Sequence, residues 1–153
     1  VIRQRAILAE EKQVRYNAIL DAAYRLLERF PDREANMAEV AEEAGVAKGT
    51  VYLYFPGKEH LLLALHERNV ESFFSELTAL LEESAKVGID DVLALAHTHM
   101  IDPPLFLPLG TRCLATLGMG VPAEARMEFG QRLGDWLARA GAGLERHFPE
   151  LPQ

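Results

Sequence analysis

The chain has 153 residues, a net charge of −7 and a hydrophobic share of 49%. That is enough for a sizeable core, in one domain or in a small helical module followed by a second helical core. No apolar run approaches the roughly 18 residues that a bilayer span needs, no secretory signal opens the sequence, and a single cysteine, Cys113, excludes an intramolecular disulfide framework. A cytoplasmic protein without a membrane partner is expected.

Residues 1–9 hold Arg3 and Arg5 and little pattern, and Val1 stands where an initiating Met would, so the numbering is expected to start inside a longer chain. A basic arm can enter a minor groove; the plainer reading, a frayed terminus, is preferred. Over residues 11–30, Ile19, Ala22, Ala23, Leu26, Leu27 and Phe30 recur at helical spacing and predict a long helix, stopped by Pro31 and Asp32. Its simplest use is to pack Leu26 and Phe30 against Val40, Val46 and Phe55.

Asn36 followed three residues later by Glu39 is the side-chain pair that caps a helix reciprocally, which predicts a short helix from about Met37. Met37, Val40, Ala41 and Ala44 share one face of it, and Glu39, Glu42 and Glu43 look outward. Gly45 supplies the left-handed residue that ends it, and Val46 plugs the turn. A second short helix, residues 48–54, follows at a steep angle. Beyond Val51 and Phe55 it has little apolar surface, so most of its faces are free to meet something else. Residues 45–58 therefore read as the recognition end of a helix-turn-helix.

From Ala41 the chain reads Ala-x-x-Ala-Gly-Val-Ala-Lys-Gly-Thr-Val-Tyr-Leu-Tyr-Phe-Pro-Gly-Lys-Glu-His-Leu. This run, within residues 41–65, resembles the tetracycline-repressor (TetR) family of bacterial transcription regulators, far more specifically than a generic helix-turn-helix spacing does. The resemblance covers about the first third of the chain; the rest is matched by helix pattern alone. It implies an all-α fold in which a three-helix DNA-binding module, residues 1–57, is joined by a long helix to a helical effector-binding and dimerisation domain, residues 58–153.

Thr50 offers a hydroxyl and a methyl to base edges or a phosphate, and Lys48 and Gly49 sit at the helix end that normally enters the major groove. The resemblance further places Tyr52 and Tyr54 near backbone phosphates, matches Lys58 to the family's phosphate-contacting lysine, and puts Asn36 where a threonine usually caps the second helix and touches phosphate. The competing reading makes the tyrosines packing residues and the lysines merely solvated. Residues 1–68 hold ten Lys or Arg against eleven Asp or Glu, and residues 69–153 six against twelve. A near-neutral first part argues against strong non-specific DNA binding and leaves room for a local positive face at Lys48, Lys58 and the N-terminal arginines, with the second helix's glutamates turned away.

After Pro56 and Gly57 turn the chain, Lys58 opens a helix with Glu59 in its first turn, where negative charge suits the helix dipole. Leu61, Leu62, Leu65, Val70, Phe73, Phe74, Leu77, Leu80 and Leu81 carry it to about residue 85. In a TetR-like fold this helix links the two modules, and a shift along it would carry ligand occupancy to the DNA. Gly88 is expected to end it and Asp90 to cap a short helix over residues 91–100, closed by Asp102, Pro103 and Pro104. Residues 105–117 are apolar and mostly helical, with an early break expected at Pro108 and Gly110. Residues 118–120 read as a loop, Pro122 as a first helical residue, and 123–147 as a long helix with Phe129, Leu133, Trp136, Leu137, Ala140 and Leu144 on one face. The resemblance implies two further helices that pair with a second subunit, so residues 1–153 are expected to stop short of the complete dimer surface.

Little in the sequence suggests chemistry. His97 and His99, two apart, point to different sides of a helix and make a poor metal pair. His60 and His147 read as surface or partly buried helix residues, and Cys113 as a small buried apolar group. Gly118 and Gly120 lack the third glycine and the strand of a dinucleotide fingerprint. No enzyme activity, metal or cofactor is expected. By family analogy the helices from residue 58 onward enclose a pocket for a small effector, with Phe73, Phe74, Leu77, His97, Met100, Leu105, Phe106, Cys113, Met119, Phe129 and Trp136 as candidate lining; each also reads as plain core. The absence of a cluster of charges at apolar positions suggests a mostly hydrophobic ligand. Two functions stay open: a homodimeric repressor released from operator DNA by its effector, and a helical scaffold that keeps the helix-turn-helix core but meets a protein through its acidic second part.

Overall fold

A computed structural model of the protein describes residues 2–31, 33, 36–116 and 121–150, with side chains from residue 9 onward except those of 114–116. Helices make up most of it, and no strand occurs among the described residues. The helices are α1 (Ile2–Arg29), α2 (Met37–Glu43), α3 (Lys48–Tyr54), α4 (Lys58–Glu83), α5 (Ile89–Ala96), α6 (Phe106–Thr116) and α7 (Ala123–His147), with a π-helical turn at His97–Ile101 after α5. The chain divides into two compact units, Val1–Leu65 and His66–Gln153, the division falling within α4. No described helix is long and apolar enough to cross a membrane.

In the first unit α1 begins at Ile2, not near residue 11. Nothing between Arg3 and Glu11 breaks a helix, and Ala6, Leu8 and Ala9 favour one, so the expected frayed segment is helical. The buried face of α1 is Ile19, Leu20, Ala22, Ala23 and Leu27. Phe30 is a correction: it is 41% exposed, at the rim of a small pocket that Leu26 and Val40 also line, with the Arg33 guanidinium 5.0 Å from its ring centroid. Leu20 lies in the core instead, where the sequence stripe omitted it.

Three hydrogen bonds fix the two ends of α2. Asn36 Oδ1 accepts from the Ala38 N–H at 3.0 Å and so satisfies one orphan donor at the start of α2. At the other end, Gly45 takes φ +66°, a conformation open to glycine without strain. Its N–H donates to the Glu42 carbonyl and that of Val46 to the Ala41 carbonyl, at 3.0 and 2.9 Å, closing the last carbonyls of α2 in a Schellman arrangement. The reciprocal half of the expected cap does not form: Glu39 Oε1 accepts from Arg33 Nη2 at 2.7 Å. An ionised partner makes a stronger bond than a backbone amide. Val46 is half-buried, not a buried plug.

In the second unit, Leu77, Leu81, Val87 and Ala140 form a buried cluster, with Phe73, Phe74, Leu80, Val92, Leu95, Leu144 and Phe148 packed around it. Gly143 lets α7 approach α4 closely, because a Cβ there would lie 2.9 Å from Leu81 Cβ and Cδ1. The edges are closed by ion pairs from Arg132 to Glu67 and from Arg139 to Glu82, and His147 Nε2 donates to the Leu81 carbonyl at 2.9 Å. Leu137, expected on the apolar face of α7, is exposed.

Three local expectations are corrected in this unit. Gly88, not Asp90, starts α5: its N–H donates to Asp91 Oδ2 at 2.8 Å. The expected helix to residue 100 gives way at His97 to the π turn, where the Asp102 N–H reaches the His97 carbonyl five residues back at 2.9 Å. Pro103 and Pro104 have no N–H, so Asp102 is the last donor before them, while Thr98 Oγ1 bonds back to the Ala94 carbonyl. Finally, α6 runs unbroken through Pro108 and Gly110. Pro108 is its third residue, where the backbone nitrogen has no intrahelical partner to lose.

Candidate nucleic-acid interface

The candidate surface is built on α3, and its support comes from two side chains. Val51 is fully buried and Phe55 is 2% exposed; the Phe55 ring lies 5.0 Å from the ring of Tyr16 on α1, centroid to centroid. Tyr16 also meets Tyr54 at 6.3 Å. The inner face of α3 is thus clamped on α1 by aromatic packing. Tyr16 is a residue that sequence reasoning missed. A tyrosine three positions before Ile19 on the apolar stripe was the available signal.

The remaining faces of α3 are open. Lys48, Gly49, Tyr52 and Leu53 are exposed and Thr50 is half-buried. Lys48 Nζ stands 5.9 Å from the Tyr52 ring centroid, within cation–π range, so the two residues hold each other one turn apart. Lys48, Thr50 and Tyr52 together present an ammonium, a hydroxyl and a phenol on one short helix. These groups can donate to phosphate oxygens or to acceptors on base edges. Tyr54 is half-buried against Tyr16, Lys58 opens α4 and Asn36 caps α2. Of the seven candidates, Lys48, Gly49, Thr50, Tyr52 and Tyr54 therefore share α3, and Asn36 and Lys58 start the helices on either side of it in the chain.

The local electrostatics differ from a simple turning-away of glutamates. Arg25 Nε donates to Glu43 Oε1 at 3.0 Å and Arg29 Nη2 to the same oxygen at 3.3 Å, while Arg33 pairs with Glu39. The Arg25 hydrogen bond, helped by the charge of Arg29, holds the Glu43 carboxyl below its ordinary pKa. The charges of Glu39 and Glu43 on α2 are therefore met by arginines of α1 and the following turn. The side chains of Arg3 and Arg5 lie outside the described residues.

The candidate effector residues fall into two groups inside the second unit. Phe74 stacks on Trp136 with centroids 6.2 Å apart, Phe73 meets Phe74 at 5.2 Å and His99 at 6.3 Å, and Leu77 is buried beside them. Phe106 and Phe129 instead flank His66, at 5.9 and 6.2 Å. Leu105 and Cys113 are buried and Met100 half-buried; burial pushes the Cys113 thiol up to about 11. His97 is exposed, its Nδ1 3.1 Å from Asp102 Oδ1, whereas His99 Nε2 meets Glu76 Oε2 at 3.0 Å. Met119 lies outside the described residues. No group of three or more His, Cys, Asp or Glu able to hold a metal occurs among the described residues.

His66 is the other residue the sequence reading missed. It stands on the apolar stripe of α4 one turn after Leu62, its Nδ1 is buried without a hydrogen-bond partner among the described residues, and burial lowers its pKa. Asn69 Nδ2, one turn further along, is likewise buried and unpaired. Two polar groups interrupting an otherwise apolar stripe were the available signal.

Residues 19–65 match the family described as bacterial regulatory proteins, tetR family. The fatty acid metabolism regulator protein of Bacillus subtilis (strain 168) is 32% identical over 76 residues, which are 50% of this chain and 39% of that protein. The HTH-type transcriptional regulator EthR of Mycobacterium tuberculosis (strain CDC 1551 / Oshkosh) is 40% identical over 68 residues, 44% of this chain and 32% of that protein. The matches thus span well under half the length of either relative. Among solved structures, a Streptomyces coelicolor A3(2) protein assigned to transcriptional regulation superposes with a TM-score of 0.52 at 26% identity, covering 88% of this chain and 75% of that one.

Proposed function

We propose, from the match of residues 19–65 to the tetR family of bacterial regulatory proteins and from the relatives similar over that stretch, that this chain binds double-stranded operator DNA through α3 and regulates transcription, as a repressor that a small, mostly hydrophobic effector releases. The observation that carries the proposal is the division of labour on α3. Val51 and Phe55 lock one face into the first unit, and the opposite faces leave Lys48, Thr50 and Tyr52 open at a helix-turn-helix that lies within the family match. A seven-residue helix with so little of its surface committed to the core is suited to lie in a major groove, with Lys58 and Asn36 on flanking phosphates.

The protein acts as a cytoplasmic homodimer, whose two-fold axis sets two half-sites about 34 Å apart, one duplex turn. The second unit holds the effector among its aromatic side chains, and occupancy favours a dimer geometry that no longer meets both half-sites. Selection of genomic fragments by the purified protein tests the DNA reading: a recurrent inverted repeat should be enriched, and fragments recovered at their input frequencies would sink it. Calorimetric titration against a ligand panel tests the effector. Apolar compounds should bind and release the DNA, and tight selective binding of a small, highly charged metabolite would contradict the assignment.

A further inference from the structure

Leu53 is 85% exposed, the most exposed large apolar side chain described in either unit. A lone exposed leucine is ordinary on a protein surface, but this one occupies a particular place. On α3 it lies two residues after buried Val51, which turns it to the opposite side of the helix, and four residues after Gly49, which puts the two on one face. A Cβ built on Gly49 would meet nothing within 4 Å. The outward face of α3 is therefore a bare stretch of backbone followed by an isobutyl group, flanked by the Lys48–Tyr52 pair.

We propose that Leu53 reads a thymine, by burying its side chain against the C5-methyl group in the major groove of the operator. The inference rests on the DNA-binding function proposed above. Its chemistry is restrictive: the base edges of the major groove present hydrogen-bond donors and acceptors throughout, and the thymine methyl is the apolar group among them. A leucine placed over any other base edge would desolvate polar atoms without pairing them, a cost that selects against those bases. With no side chain at Gly49, α3 can approach the groove floor closely enough for Leu53 to make that contact. Each half-site is thus assigned one thymine, recognised by its methyl group and not by its hydrogen-bonding edge.

Deoxyuridine removes that methyl and keeps every hydrogen-bonding group of thymine. The test uses the duplex enriched by selection of genomic fragments, with deoxyuridine put in place of thymine one position at a time, against the wild-type protein and Leu53→Ala. The wild type should lose affinity about fourfold at one thymine per half-site, the factor that burying one methyl-sized group is worth. Leu53→Ala should bind the parent duplex more weakly and be indifferent to the same replacement. Leu53→Met, which keeps an apolar group of similar reach, should retain the sensitivity. Since Leu53 is almost wholly exposed, helical circular dichroism of the variants should match the wild type. Sequence-specific binding that is insensitive to deoxyuridine at every position, or a sensitivity that survives in Leu53→Ala, overturns the assignment to Leu53 and leaves the DNA-binding function standing. Failure of the selection to enrich any sequence overturns both.

Discussion

The two units place their candidate sites on opposite sides of the packing problem. In the first, the core is a means of display: Val51, Phe55 and Tyr16 are packed so that the rest of α3 can stay out of the core. In the second, the candidate site is the core itself, since Phe73, Phe74, Trp136, Phe106 and Phe129 would both line a ligand and hold the helices together. A displayed site can be read residue by residue, because a polar or exposed group there has no structural duty to account for it. A site made of core residues cannot, because packing and binding call for the same side chains.

Substitutions can break this contrast, and the largest effect should come where display depends on the core. Phe55→Ala should cost about 3–5 kcal/mol, the usual loss for a buried aromatic, and abolish DNA binding. Thermal melting followed by circular dichroism should show the first unit destabilised while effector binding to the second persists. Gly143→Ala is the reverse case. Its new methyl would press on Leu81, and overpacking of about 1–3 kcal/mol should weaken the second unit while leaving the DNA affinity of the ligand-free protein within a few-fold of wild type.

Smaller effects sharpen the comparison. Asn36→Ala removes the cap of α2 and should cost about 1 kcal/mol by chemical denaturation; a larger fall in DNA affinity than in stability would add a phosphate contact to its capping role. Glu43 contributes through pH. Its folded pKa lies below the unfolded value, so its stabilisation is present above the unfolded pKa and lost as pH falls through the folded one. An acid titration of stability should lose part of its slope in Glu43→Gln. The smallest effect is at Cys113, whose thiol, raised to about 11, should alkylate slowly in the native protein near neutral pH. Its stabilising share is full below the unfolded pKa and declines as pH rises from there through about 11.

How much of this was legible in the sequence follows the same division. Gly45, Asn36, Val51 and Phe55 were readable because each answers a local demand: a left-handed turn, an orphan N–H, a helix with one apolar edge. Where an outcome depended on competition with a distant group, local reading failed. Glu39 left the cap of α2 for Arg33, and Phe30 stays 41% exposed beside the Arg33 guanidinium. Neither the π turn before Pro103 nor the uninterrupted α6 through Pro108 could be read from residue preferences alone, because both depend on which backbone donors remain available. For the effector residues, the stripe pattern named the aromatics but did not sort them into the group around Trp136 and the group around His66. That sorting requires the packing of α4 against α6 and α7.

The central claim is that α3 and its flanks recognise a particular DNA sequence. Fluorescence anisotropy of the protein with the most enriched genomic duplex and with a scrambled duplex of equal composition, across a salt series, tests it most directly. The account predicts a preference of about a thousandfold at physiological salt, within the range of specific complexes. It also predicts for Lys58→Ala a salt dependence flatter by about one counterion per half-site. Equal affinity for the two duplexes, with the same salt slope in wild type and Lys58→Ala, would contradict it.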